Sequence, residues 1–161
     1  MNLNQYCPGC GGGEGKQACS IAKCSLQHGN VEYCFQCESY PCERYEDIDE
    51  LDSFITHHRQ NQDMEKFRKL GVELYSAEQQ RKKFLLNHIL NTYNDGRKKM
   101  LFCVAANLLE LDDLENIINE LDKDTPTFTL KEKSAHASNL IQKIALNKNI
   151  SLKLRKKNST K

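Results

Sequence analysis

Seven of the chain's eight cysteines fall between Cys7 and Cys42, and they are the residues whose types and spacing can do chemistry. Cys7 and Cys10, in CPGC, and Cys34 and Cys37, in CFQC, are two C-x-x-C pairs. Two thiolates three residues apart across a tight turn can grip one tetrahedral metal at about 2.3 Å. Gly11 lets the backbone keep turning after the first pair, with positive φ, which aims amide N–H groups at the sulfurs and offsets their charge. Cys19 and Cys24 form a looser pair in CSIAKC, and Cys42 closes the stretch in YPCE. One knuckle alone is a weak signal, whereas two separated by about two dozen residues mark a metal site.

The spacing permits two divisions. In the preferred one, Cys7, Cys10, Cys34 and Cys37 form one four-thiolate site. Cys19, Cys24 and Cys42 then supply a second, with His28 as the nearest candidate for its fourth ligand. In the sequential one, Cys7, Cys10, Cys19 and Cys24 share a site, and Cys34, Cys37 and Cys42 share the other with a further group. Structural zinc is the first expectation. An iron–sulfur cluster is the alternative, because a C-x-x-C pair with a third cysteine five residues on is an acceptable half-set. A disulfide scaffold is opposed by the N-terminus MNLNQYCPGC, which has neither a basic nor an apolar signal region. Transient metal handling or thiol redox sensing is the fourth reading.

Stepping outward, the segment that must position these thiols is nearly coreless. Its sizeable apolar side chains are few, chiefly Ile21, Leu26, Val31, Tyr33, Phe35 and Tyr40. Burying each is worth about 1.5–3 kcal/mol, against about 1–2 kcal/mol of backbone entropy for every ordered residue. Such a segment needs a staple. In the cytoplasm, where the missing signal places the chain, thiols stay reduced and the staple is metal.

The remainder reads as helical. Glu43 to about Phe54 is acidic and is expected to start a helix; Asp63 to Leu70 is a short one stopped by Gly71. Ser76 with Gln79 makes a capping box opening a helix that carries Phe84, Leu85, Ile89, Leu90 and Tyr93, and Asn94-Asp95-Gly96 ends it. Met100 to Leu109, apolar nearly all round, is the expected central buried helix. Asp112 with Glu115 caps the next, whose buried face is Leu114, Ile117, Ile118 and Leu121, and Thr125-Pro126 breaks it. Thr129 with Glu132 caps the last, with Leu140, Ile141 and Ile144. The alternation of Ile150, Leu152 and Leu154 fits an edge strand or a frayed tail.

Other candidates are weaker. Cys103, in FCVAA, reads as a buried structural thiol. Adjacent His57 and His58 would point about 100° apart on a helix and seldom share a metal. His88 and His136 read as solvent-facing or locally satisfied. Arg97, Lys98 and Lys99 precede the buried helix, where they oppose its dipole and could meet a phosphate or carboxylate. No GxSxG, P-loop, HExxH or dinucleotide fingerprint is present, so nothing makes a positive case for an enzyme. No run approaches a membrane span. The net charge is only +1, but Glu43 to Asp52 holds six acidic residues and Lys148 to the end six basic ones. The basic arm is a candidate for an anionic partner, although no interleaved aromatics favour single-strand stacking.

The stretch CSIAKCSLQHGNVEYCFQCESYPCERY resembles the signature of a microbial cysteine-rich family known only as domain of unknown function 3795. The shared positions are Cys19, Ile21, Cys24, Cys34, Cys37, Tyr40, Pro41, Cys42 and Glu43, and the likeness covers residues 7–46. It implies a small metal-binding protein and supplies no activity. Family members carry another cysteine group upstream of the CPGC-like pair, whereas this chain begins six residues before Cys7. Either this branch lacks that group or the sequence is a fragment.

The expectation is a mainly α protein: a cysteine-rich metal knuckle over residues 1–45, packed on a helical bundle over 46–147, with a basic tail over 148–161. Its expected role is a cytoplasmic, zinc-binding interaction module with a protein partner. An iron–sulfur redox or accessory protein is the alternative, a nucleic-acid-associated zinc protein the second alternative, and no membrane partner is expected.

Overall fold

The computed structural model describes residues 20–29, 31–52 and 56–156. It divides into two compact units, Met1–Ile48 and Asp49–Lys161. Among the described residues there are five α-helices and no strand, so the protein is mainly α.

In the first unit, α1 (Ser20–Gln27) is followed by two single turns of 3-10 helix, Cys34–Gln36 and Glu43–Tyr45. The helix expected from Glu43 to Phe54 is not formed: after Tyr45 the chain runs through turns to Glu50, and residues 53–55 lie outside the described set. Six carboxylates crowded into ten residues repel one another, and only Tyr45 there is buried to anchor a helix.

The second unit is built from α2 (Gln60–Thr92), α3 (Lys99–Leu108), α4 (Leu111–Asp124) and α5 (Leu130–Asn147). Gly71 breaks α2 with φ 78° and ψ 171°, a region open essentially to glycine alone. Along an unbroken helix Phe67 and Tyr75 would stand about 12 Å apart. Instead their rings stack with centroids 4.6 Å apart, and Lys66 Nζ lies 2.6 Å from Glu78 Oε1. The chain therefore folds back at Gly71, where the sequence places a stop. The helix resumes at once, so Ser76 and Gln79 lie inside it instead of capping it; the Phe67–Tyr75 stack carries the residues ahead of the local cap signal.

Leu85, Ile89 and Tyr93 of α2 meet Phe102 and Ala105 of α3, and Leu114, Ile117 and Leu121 of α4, in one core. Ile141 and Ala137 of α5 close it. Phe84 and Met100 face solvent, at 62% and 57% exposure, so the predicted apolar run of α3 is buried only in part of its circumference. The cap of α4 falls two residues earlier than predicted. Glu110 is its N-cap, and its N–H donates to Asp113 Oδ2 at 3.2 Å. The Thr129–Glu132 capping box is present, with the Thr129 N–H donating to Glu132 Oε2 at 2.8 Å. At the end of α5, Asn149 takes φ 56°. The Asn149 N–H donates to the Leu146 carbonyl and the Ile150 N–H to the Ala145 carbonyl, a Schellman closure. Ile150 and Leu152 then pack on the core, so this alternation is neither a strand nor a frayed end.

Candidate metal centre

α1 presents the first described thiol. His28 lies one turn beyond Cys24, with Nδ1 2.9 Å from the Cys24 carbonyl oxygen and 3.4 Å from Cys24 Sγ. A carbonyl only accepts, so Nδ1 carries the hydrogen and Nε2 keeps its lone pair. Metal-binding imidazoles are oriented in this way, one nitrogen tied to a carbonyl and the other free to coordinate.

Gly29, at φ 83°, turns the chain out of α1. The Ser25 hydroxyl donates to the Val31 carbonyl at 2.6 Å and holds the returning segment to the helix. That return brings the knuckle home. The Cys37 N–H donates to the Cys34 carbonyl at 3.0 Å, and Gln36 Oε1 accepts from the Tyr33 N–H at 2.9 Å, so C-F-Q-C is a tight turn. The Tyr40 N–H donates to the Cys37 carbonyl, the Tyr40–Pro41 peptide is cis, and the Tyr45 N–H donates to the Cys42 carbonyl at 2.8 Å. Tyr40 and Tyr45 meet edge to face at 5.0 Å.

The result is one cavity lined by Cys24, Cys34, Cys37, Cys42 and His28, with Ile21, Val31 and Tyr45 among its apolar walls. At about 30 Å³ it suits an ion or a water and not an organic cofactor. The four cysteines are free and half-buried. Among the described residues, no three Cys, His, Asp or Glu side chains stand close enough to hold an ion in common, so the thiols share a cavity without sharing a coordination point. Cys7, Cys10 and Cys19 lie outside the described residues. The grouping departs from both divisions open to the sequence, because it joins Cys24 to Cys34 and Cys37. Soft thiolates with one neutral imidazole are nevertheless the donor set of zinc.

The spaced cysteines, the C-x-I-x-x-C helix and the YPCE ending thus occur together in one folded stretch. Residues 1–47 match the family described as Protein of unknown function (DUF3795). The DUF3795 match covers under a third of the chain and stops at the junction of the two units. Neither a curated protein nor a solved structure matches the chain.

The other predicted candidates lie in the second unit, outside the DUF3795 stretch. Cys103 is half-buried in α3, and burial pushes its thiol up. The His57 N–H donates to Asp52 Oδ1 at 2.7 Å. His88 Nε2 lies 3.1 Å from Asp122 Oδ1, and the Tyr93 hydroxyl donates to the same oxygen. His136 stands edge-on to Phe128. Arg97 is committed to Asp95, its Nη2 2.7 Å from Oδ2, which removes it from any anion at the start of α3.

A charged cluster escaped the sequence. Arg59 Nη1 donates to the Leu108 carbonyl at 2.8 Å, and Nη2 pairs with Glu110. Lys66 bridges Glu78 and Glu110, at 2.6 Å and 3.0 Å. Burial raises Glu110, but the hydrogen bonds from Arg59 and Lys66 outweigh it and bring its pKa down to about 2. Lys82 is 8% exposed, with no hydrogen bond or ion pair among the described residues, and burial pulls its pKa down. Burial likewise pushes Asp63 up, and Tyr75 up to about 12. Contacts across 44 and 49 residues leave no local sequence signal. Lys82 does leave one: it falls in register with Leu85, Ile89 and Tyr93 on the buried stripe of α2.

Proposed function

We propose that the first unit is a thiolate metal centre, with zinc as the metal, and that the protein works as a metal-stabilised binding module. The observation that supports this is the gathering of Cys24, Cys34, Cys37, Cys42 and His28 on one ion-sized cavity, in a segment with little apolar core of its own. Bound zinc would neutralise the thiolates and supply the folding free energy that apolar burial there lacks. Cys24, Cys34, Cys37 and Cys42 are the first donors to consider, with His28 Nε2 within the same group, and Cys7, Cys10 and Cys19 remain for further coordination.

The test is replacement of Cys34 or Cys37 by Ser. Each change is expected to release metal and unfold residues 1–45, read as lost zinc content and collapsed amide dispersion for that segment alone. Retention of metal and fold in both variants would overturn the assignment of these ligands.

One observation also favours a second reading. A cavity gathering four cysteines carries the ligand count of an iron–sulfur cluster, which would make the protein a redox or accessory component. Colour separates the two, because only the cluster gives visible sulfur-to-iron absorption in protein purified without oxygen.

A further inference from the structure

The cleft beside the charged cluster has the features of a ligand site independent of the metal centre. It measures about 250 Å³ and is lined by Arg59, Gln60, Asp63 and Tyr75 of the α2 region and Asn107 of α3, with His57 at its edge. Arg59 is the informative residue. Two of its nitrogens are committed, to Leu108 and Glu110, but Nε is buried with no hydrogen-bond partner. The nearest carboxylate oxygen, Asp63 Oδ1, stands 3.9 Å away, beyond hydrogen-bond reach. An unsatisfied buried donor on a charged group is costly, so an acceptor belongs there.

The rest of the lining asks for the same kind of partner. The Tyr75 hydroxyl and the side-chain amides of Gln60 and Asn107 make no hydrogen bond among the described residues. Donors therefore predominate on the wall. Asp63 is its one carboxyl group, and burial raises that group's affinity for a proton. Behind the wall Glu78 and Glu110 are spent on Lys66 and Arg59, while the buried ammonium of Lys82 has no paired carboxylate among the described residues. The volume is below the range of drug-sized pockets, about 300–1,000 Å³, so the ligand is small.

We infer that this cleft binds a small oxyanion, a carboxylate or a phosphate, through Arg59 Nε, the Tyr75 hydroxyl and the neighbouring amides.

The test uses the full chain, labelled with nitrogen-15, and follows the Arg59 Nε–H resonance. Inorganic phosphate and succinate are titrated separately, with ionic strength held constant by sodium chloride. A saturable shift of roughly millimolar affinity is expected. Saturation by phosphate alone, by succinate alone or by both supports the site and identifies the class it takes. Arg59 also secures Leu108 and Glu110, so the variant of choice is Tyr75→Phe, which keeps the ring stack on Phe67 and loses only the hydroxyl. It should weaken binding about tenfold, the equivalent of one hydrogen bond. No saturable shift with either anion, the same shift with chloride alone, or undiminished affinity in Tyr75→Phe would each overturn the inference.

Discussion

Asp52 shows how much one side chain can hold. Its carboxylate is 1% exposed, yet it accepts from the Arg155 N–H at 2.7 Å, the Arg155 guanidinium at 3.1 Å and the His57 N–H at 2.7 Å. The Asp52 N–H in turn donates to the Arg155 carbonyl at 2.8 Å. Burial raises the Asp52 pKa, but hydrogen bonds from Arg155 and His57 outweigh it and hold the carboxyl well below its ordinary value. An unfolded chain therefore takes up this proton first as pH falls. Asp52 contributes stability that is full above about pH 5 and is lost as the solution approaches the folded value. Glu110 acts in the same sense. Asp52→Asn should cost about 3 kcal/mol at neutral pH, since it leaves Arg155 without its charge partner. Denaturation measured at pH 7 and pH 3 should show a smaller acid loss in Asp52→Asn than in the unaltered chain. Equal losses in both would show that Asp52 is not a source of the acid sensitivity. Arg155 is also one of the basic residues read as an arm for an anionic partner, and this pairing withdraws it from that arm.

At the scale of elements, the fold-back at Gly71 sets where the charged cluster forms, because it returns Glu78 and Tyr75 to Lys66 and Phe67. No atom lies within 4 Å of a methyl placed on Gly71, so the objection to a side chain there is conformational and not steric. Gly71→Ala should lower stability by about 1–3 kcal/mol, read as an earlier denaturant midpoint at unchanged slope. Unchanged or increased stability would mean that α2 runs straight. Most elements of this unit were legible because their signals are local: Gly71, the Thr129–Glu132 box, and the Leu114, Ile117, Ile118, Leu121 stripe. Ser76 and Asp112 misled because a tertiary contact at each place outweighed the local cap. Tyr75 stacks on Phe67, and Glu110 is held by Arg59 and Lys66. The alternation of Ile150 and Leu152 has period two without a strand, because Ile150 is the apolar residue that follows a Schellman turn at Asn149.

For the whole molecule, the two units rest on different physics. Asp49–Lys161 has an apolar core of its own, whereas Met1–Ile48 gathers thiols around a small cavity. Treatment with a strong chelator under reducing conditions should therefore disorder the first unit and leave the cooperative thermal transition of the second in place. Loss of both transitions together would contradict that independence. The cysteine positions were fully legible, but which ones meet was not. Joining Cys24 to Cys34 and Cys37 depends on the turn at Gly29 and the Ser25–Val31 hydrogen bond, and residue spacing encodes neither. The DUF3795 match gives that unit a family without a role. The central claim is therefore chemical, and elemental analysis of protein purified without oxygen tests it most directly. A colourless protein carrying stoichiometric zinc is the predicted result. Protein free of stoichiometric metal, or brown protein containing iron and labile sulfide, would contradict it.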